Sequence, residues 1–314
     1  MRRQLHELNE MLSSLDLTFQ FSYAQLSDRA KARIAKLNKL RSLILTNQIQ
    51  VENDTILLST IVRDILRDNH SERHSKRHTT KYYVHYDHDA KLCNYLGELE
   101  ITGTFNRDAN FMRRVFNQDW QHGGRFYHAP HITIPSVCRK SMIINEEPTV
   151  ELDYSGLHTR MLYHLIGIDY RNECYVYDKT DKAKKPDRDR IKLASLIVIN
   201  SNDPGTAIRA IHDQCRRKGI HYPAGEFGLY RSLVDRFEDF HEPIKEFFHK
   251  GKGLELQYLD STIMANILDR MTKQNIPALP VHDSVICPAR YEGFLRHVMT
   301  EEYEKVMGFV PVID

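Results

Sequence analysis

In the stretch VELDYSGLHTRMLYHL, Val150 to Leu165, the apolar residues change period within a few positions. Val150 and Leu152 alternate with Glu151 and Asp153, which makes one strand face apolar and the other carboxylate-bearing. Leu157, Met161, Leu162 and Leu165 then recur at helical spacing, and Gly156 lets the backbone bend at the junction. Asp153 is thereby set where a strand ends and a helix begins. A carboxylate in that position suits a metal or a phosphate site better than core packing. On this stretch alone, an Asp capping the next helix is the simpler reading.

Composition bounds what such a site can serve. With 314 residues, 41% of them hydrophobic and 27% charged, the chain can bury a substantial core as one large domain or two ordinary ones. It has no apolar run long enough to span a bilayer, and MRRQLHELNE at the amino terminus lacks the apolar core of a signal peptide. A cytoplasmic protein without membrane partners is expected. Cys93, Cys138, Cys174, Cys215 and Cys287 form no CxxC pair, so reduced thiols and no zinc site are the default. The net charge of +2 is not that of a dedicated nucleic-acid binder, but it hides local basic runs.

From Met1 to Thr102 the pattern reads as helical and strongly charged. Leu26, Ile34, Leu37, Leu40 and Ile44 make one stripe, while Arg29, Arg33 and Lys36 share another face that could follow a phosphate backbone or simply be solvated. Asp68 to Thr80, DNHSERHSKRHTT, is polar and aperiodic, a loop or linker. His70, His74 and His78 recur four apart there, with no carboxylate or Cys to complete a metal site. A short helix is expected between Arg107 and Asn117, carrying Phe111, Val115 and Phe116. Gly123 and Gly124 then allow a tight backbone from which Arg125 can project into a cleft. Met142 to Asn145 and Thr149 to Asp153 read as a hairpin joined by a Glu-Glu-Pro turn.

Pro186 marks a helix start, after which Arg188, Lys192, Leu196 and Asn200 fall four apart on one face. Two cations followed by smaller groups could hold a triphosphate and then a base; solvated charges at a helix start are the alternative. Helices are expected over Pro204 to Arg217, Gly225 to Phe240, Leu254 to Lys273 and Tyr291 to Met307, with Gln257 and Asp260 near the start of the third. Between the last two, PALPVHDSVICP has a hairpin signature with His282, Asp283 and Ser284 at its tip.

Each motif alone is weak, but their order is informative: GGRFY with a downstream IPS and Arg139, LDYSGLHTR, Arg188-x3-Lys192 heading an apolar helix, LQYLDS on a long helix, and VHDS. This series resembles the catalytic core of the family A DNA polymerases and of the related single-subunit RNA polymerases of phages and mitochondria. The likeness covers roughly residues 120 to 290, about half of the chain. It implies a right-hand α+β fold with an antiparallel palm sheet, helical fingers and a reduced helical thumb. The palm and fingers would occupy 103–314, and the helical region 1–102 would serve as the thumb.

The resemblance also implies that Asp153 and Asp283 share two Mg²⁺ ions, for which Mn²⁺ could substitute, with the Tyr154 carbonyl as a further ligand. Arg188 and Lys192 match the positions that grip the triphosphate, Arg125 the arginine that reaches the primer–template duplex, His282 the residue near the primer end, and Gln257 the one near the template. Arg139, Arg29, Arg33 and Lys36 would add nucleic-acid contacts. Three departures bear on the substrate. His158 stands where the DNA polymerases carry a Glu that closes off the 2′-hydroxyl, and imidazole can either block that hydroxyl or hydrogen-bond to it. Leu196 and Asn200-Ser201 replace an aromatic and a Tyr-Gly. Asp283-Ser284 replaces Asp-Glu, as in the single-subunit RNA polymerases.

The expected function is therefore template-directed nucleotidyl transfer on a nucleic-acid template and primer, using dNTPs or NTPs. DNA synthesis with priming ability is slightly preferred over a primase or RNA polymerase. A nucleic-acid-binding protein that has lost catalysis stands well behind, because both carboxylates and both cations are present. No proofreading domain is expected beside this core, and a helicase or another replication protein is a partner such a polymerase could take.

Overall fold

The computed structural model describes residues 2–22, 82–85, 100–105, 107, 110–134, 139–175, 185–217 and 227–314. In chain order the strands are β1 (Leu17–Ser22), β2 (Tyr82–His85), β3 (Glu100–Phe105), β4 (Arg113–Phe116), β5 (Gly123–Tyr127), β6 (Met142–Ile144), β7 (Glu147–Asp153), β8 (Leu279–Val281) and β9 (Ser284–Pro288). The helices are α1 (Arg2–Ser14), α2 (Pro130–Thr133), α3 (Leu157–Leu165), α4 (Lys185–Asn200), α5 (Pro204–Arg217), α6 (Phe227–Phe240), α7 (Gly253–Lys273) and α8 (Glu292–Met307). The fold is α+β, and every strand pair of defined register is antiparallel. No helix among the described residues is long and apolar enough to cross a membrane.

Two compact units divide the chain. The first draws on Met1–Arg113, Tyr127–Glu151 and Leu268–Leu295. Its centre is a seven-stranded sheet in the order β2-β3-β1-β6-β7-β9-β8. β1 lies inside this sheet because LTFQF alternates: Leu17 and Phe19 are buried and Gln20 is exposed. Thr18 pairs with Thr104 on one side and with Ile143 on the other. Phe19 meets Phe105 edge to face at 5.7 Å. α1 buries Leu8 and Leu12, one turn apart, and the Asn9 side chain brackets Met112 with bonds of 3.1 and 2.8 Å to its carbonyl and from its N–H.

These observations correct three expectations. The stretch read as helical over 1–102 is helical in α1 but extended in β1 and β2, since strand pairing outweighs the charge pattern once β3 supplies a ladder, with Thr18 opposite Thr104 and Tyr82 opposite Phe105. Arg29, Arg33, Lys36, the Leu26–Ile44 stripe and the Asp68–Thr80 segment lie outside the described residues. The short helix expected between Arg107 and Asn117 is instead β4, which forms a two-stranded sheet with β5. Its hairpin tip carries Trp120, 69% exposed, with Phe116 edge-on at 4.9 Å. The β6–β7 hairpin turns on Asn145-Glu146 rather than on Glu-Glu-Pro. Both have positive φ, 49° and 66°, the pattern of a type I′ turn, which frees Pro148 to pair with Ile143 inside the ladder.

The second unit draws on Arg114–Phe126, Leu152–Ile267 and Arg296–Asp314. α4, α5 and α6 pack on one another through Ile191, Val198, Ile199, Ile211, Val234 and Phe237, all buried. α3 begins at Gly156, whose φ is +56° and where a Cβ would lie 2.6 Å from Arg160 Nη1 and 2.7 Å from Cys174 Sγ, so only glycine fits. The far end of α7 belongs to the first unit and closes in a Schellman turn: Asn275 is left-handed at φ 54°, and the Ile276 N–H reaches back to the Met271 carbonyl at 3.0 Å.

The core of this unit also contains His241, fully buried, with Nδ1 3.0 Å from the Tyr163 hydroxyl and Nε2 3.0 Å from the Cys174 carbonyl. The carbonyl can only accept, so Nε2 donates and Nδ1 accepts from Tyr163. Burial pushes His241 down from 6.5 to about 4. Below pH 6.5 the unfolded chain takes a proton that the folded chain refuses. The contribution is therefore complete above that value and is lost as pH falls towards 4, by about 1.4 kcal/mol per unit. Urea unfolding should show about 2 kcal/mol less stability at pH 5 than at pH 7 from this group. His241→Gln should flatten that slope by one proton; an unchanged slope would show that another group carries it.

Candidate functional site

The expected site residues fall in both units, and each set has its own geometry. In the first unit, β8 and β9 form a hairpin with Val281 opposite Ser284 and a loop of two residues, His282 and Asp283. His282 has φ 59° and Asp283 does not share it, the pattern of a type II′ turn. A β-carbon is uncommon at that position, and the strained histidine is exposed at the tip while Asp283 is half-buried. The His282 ring lies 6.0 Å from the Tyr127 ring, edge to face. Ser284 turns inward, where its hydroxyl donates to Glu151 Oε1 at 2.6 Å. The other Glu151 oxygen faces Arg139 Nε at 3.6 Å, and Arg139 Nη1 donates to the Ile134 carbonyl at 3.1 Å. Arg139 is thus committed within the unit, and Glu151 ties the His282-Asp283 turn to β7.

In the second unit, Asp153 ends β7 and its main chain is held by Asp314. The Asp314 N–H donates to the Asp153 carbonyl at 2.9 Å, and the Ser155 N–H donates to the Val312 carbonyl at 2.9 Å. Tyr154 and Ile313, between them, form an antiparallel bridge whose flanking bonds leave the Tyr154 carbonyl pointing away from the Val312–Asp314 segment. The Tyr154 ring is buried with its hydroxyl donating to the Met299 carbonyl at 2.6 Å, and burial raises its pKa well above 10. Only the main chain of Tyr154 is therefore placed to serve a ligand.

α4 presents Arg188, Lys192, Leu196 and Asn200 along one stripe. Ile191, Ala194, Ser195 and Val198 are buried on its other side. Lys192 and Asn200 are exposed, and Leu196 is 51% exposed. Arg188 lies 5.4 Å over the Tyr175 ring and Lys192 Nζ 6.0 Å over the same ring. Arg188 also faces Glu173 at 3.5 Å, but the two side chains are 36% and 41% exposed, so the pair contributes little and a phosphate could displace it. Asn200 donates to the Leu196 carbonyl at 2.6 Å and lies across Gly253, where a Cβ would fall 1.6 Å from its Oδ1.

Arg125 and His158 converge on a third residue, Asp260. The Asp260 side chain is 1% exposed, Arg125 18% and His158 12%. Arg125 grips the carboxylate with Nη2 and with Nε, the latter at 3.1 and 3.3 Å. His158 Nε2 lies 2.8 Å from Asp260 Oδ2 and 3.2 Å from Arg125 Nη2. Arg125 is accordingly seated on a buried carboxylate rather than projecting from its glycine turn. The sequence places Asp260 on the long helix but assigns it nothing. The available signal is a carboxylate inside LQYLDSTIM, where its neighbours Leu256, Ile263 and Met264 are buried. Gln257, one turn earlier on α7, is half-buried.

Among the described residues, no group of three or more His, Cys, Asp or Glu converges as a metal site. Compared with known proteins, the chain matches no protein-family model and no curated protein sequence.

Proposed function

We propose that this chain is a template-directed nucleotidyltransferase, a miniature polymerase of the right-hand type. The antiparallel sheet would form the palm and α4 to α6 the fingers. The observation that carries the reading is the α4 stripe: two cations, an exposed Leu and an amide, one turn apart, on a helix whose other face is buried. That order matches a triphosphate followed by a base.

The proposed metal donors are hard oxygens: the carboxylates of Asp153 and Asp283, and the Tyr154 carbonyl, which its pairing with Ile313 does not use. Mg²⁺ takes such a set together with waters and substrate phosphates. When bound, the two ions would lower the pKa of a 3′-hydroxyl and neutralise pyrophosphate. Within the first unit, β7 and β9 are neighbours in the sheet, and Ser284 beside the turn that carries Asp283 donates to Glu151.

In the transfer, the 3′-oxygen forms a bond to the α-phosphorus, the bond from that phosphorus to the bridging oxygen breaks, pyrophosphate leaves and the hydroxyl proton passes to water. Arg188 and Lys192 would hold the β- and γ-phosphates and stabilise the charge that gathers on them. Arg188→Ala or Lys192→Ala should each lower kcat/KM for the nucleotide by about a hundredfold, as loss of a preorganised cation does, without changing the fold. Steady-state kinetics beside circular dichroism checks this, and a change below threefold would remove that role.

The direct test incubates the protein with Mg²⁺ and a templated strand, with and without primer, offering dNTPs or NTPs separately. Extended product establishes the reading. Its absence from the wild type, with strand binding retained, would favour a binding protein without catalysis.

A further inference from the structure

We infer that Tyr175 and Glu173 are positioning residues for the α4 cation pair: the Tyr175 ring holds Arg188 and Lys192 together, and the Glu173 carboxylate stands in for a phosphate on Arg188 until a polyphosphate displaces it. The inference rests on the nucleotidyltransferase reading for what the polyphosphate is, and on contacts within the second unit for the rest. Arg188 and Lys192 are four apart on α4, where like charges repel. Left to themselves, the two side chains would part into water. Instead the Arg188 guanidinium lies 5.4 Å from the centroid of the Tyr175 ring, and Lys192 Nζ lies 6.0 Å from the same centroid. The face of an aromatic ring is its negative side, so one ring attracts both cations and brings them to one place.

The ring is itself fixed. Tyr175 and Cys174 are buried, and the Cys174 carbonyl accepts from Nε2 of the fully buried His241 at 3.0 Å. Glu173, two residues before the ring, folds back on the same segment. Its Oε1 accepts the Tyr175 N–H at 3.2 Å, and both its oxygens lie 3.5 Å from Arg188 Nη2. A guanidinium–carboxylate pair at full strength has contacts of about 2.7–2.9 Å. The longer contact makes Glu173 a weak, tethered competitor, which keeps Arg188 over the ring and yields to a polyphosphate. Such a competitor lowers the apparent affinity by the fraction of seats it leaves open. Its return to Arg188 after transfer favours the departure of pyrophosphate.

The test measures binding of inorganic tripolyphosphate to the full chain by calorimetry, without template or metal, beside KM and kcat for nucleotide addition. Glu173→Gln keeps an oxygen for the Tyr175 N–H and loses the charge. It should bind tripolyphosphate about threefold more tightly than the wild type, the size of an exposed ion pair. Tyr175→Leu should bind it about fivefold more weakly and raise KM for the nucleotide by a similar factor, with the change in KM rather than kcat. Tyr175→Phe keeps the ring face and should restore both values. Glu173 is exposed, so its variant decides the matter even where circular dichroism shows Tyr175→Leu unfolded. No binding by the wild type, or a Glu173→Gln variant that binds no more tightly, would overturn the inference and leave the polymerase standing, as would a folded Tyr175→Leu variant of wild-type affinity. The expected affinity changes in a chain that extends no strand would support the anion seat and remove the polymerase.

Discussion

Replacing Asp153 or Asp283 by Ala is expected to lower templated nucleotide addition by roughly a thousandfold or more, since a lost metal carboxylate forfeits several kcal/mol of charge stabilisation. The fold should survive both changes. Asp153 is held by its main chain, through the Asp314 N–H at 2.9 Å, which Ala retains. Asp283 is half-buried in a two-residue turn whose geometry is set by His282, and a substitution there should cost within about 0.5 kcal/mol. Asp153→Asn sharpens the comparison, because the shape is kept and only the charge is lost. Primer-extension gels beside thermal melts give the result. Either Ala variant retaining a tenth of wild-type activity, with its melt unchanged, would rule that carboxylate out of the chemistry.

Asp260→Ala should destabilise the second unit by roughly 3–5 kcal/mol, the cost of leaving a mostly buried cation without its partner. Arg125 would lose both its Nε and Nη2 bonds, and His158 its 2.8 Å partner, in a setting where the carboxylate was 1% exposed. The double variant Asp260→Ala, Arg125→Met should recover a large part of that loss by removing the orphaned charge. Urea denaturation of the wild type, both single variants and the double variant closes the cycle. Additive losses would mean that the pair contributes nothing as a pair.

Local pattern made much of this legible. The strand-to-helix change at Asp153, the glycine at 156, the α4 stripe and the hairpin that displays His282 and Asp283 all follow from periods of two or four within one stretch of chain. What escaped depended on partners far along the chain. β1 is a strand because Thr18 meets Thr104 and Ile143, and a charged amino-terminal region gives no hint of those partners. The short segment around Phe111 has a helical arrangement of apolar residues, but Gly123–Tyr127 offers β4 a ladder and wins. Asp260 lies 135 residues from Arg125 and 102 from His158 in sequence, so nothing in LQYLDS could say that all three meet.

Trp120 is the single tryptophan of the chain and is 69% exposed at the β4–β5 tip. Its indole emission is therefore a one-site optical signal with no background from other tryptophans, starting from the red-shifted state of a ring in water. The same hairpin carries Arg125 on its return strand. Stopped-flow mixing with a single-stranded oligonucleotide would time events at that hairpin without any label, and iodide quenching would count how much of the ring a bound strand covers.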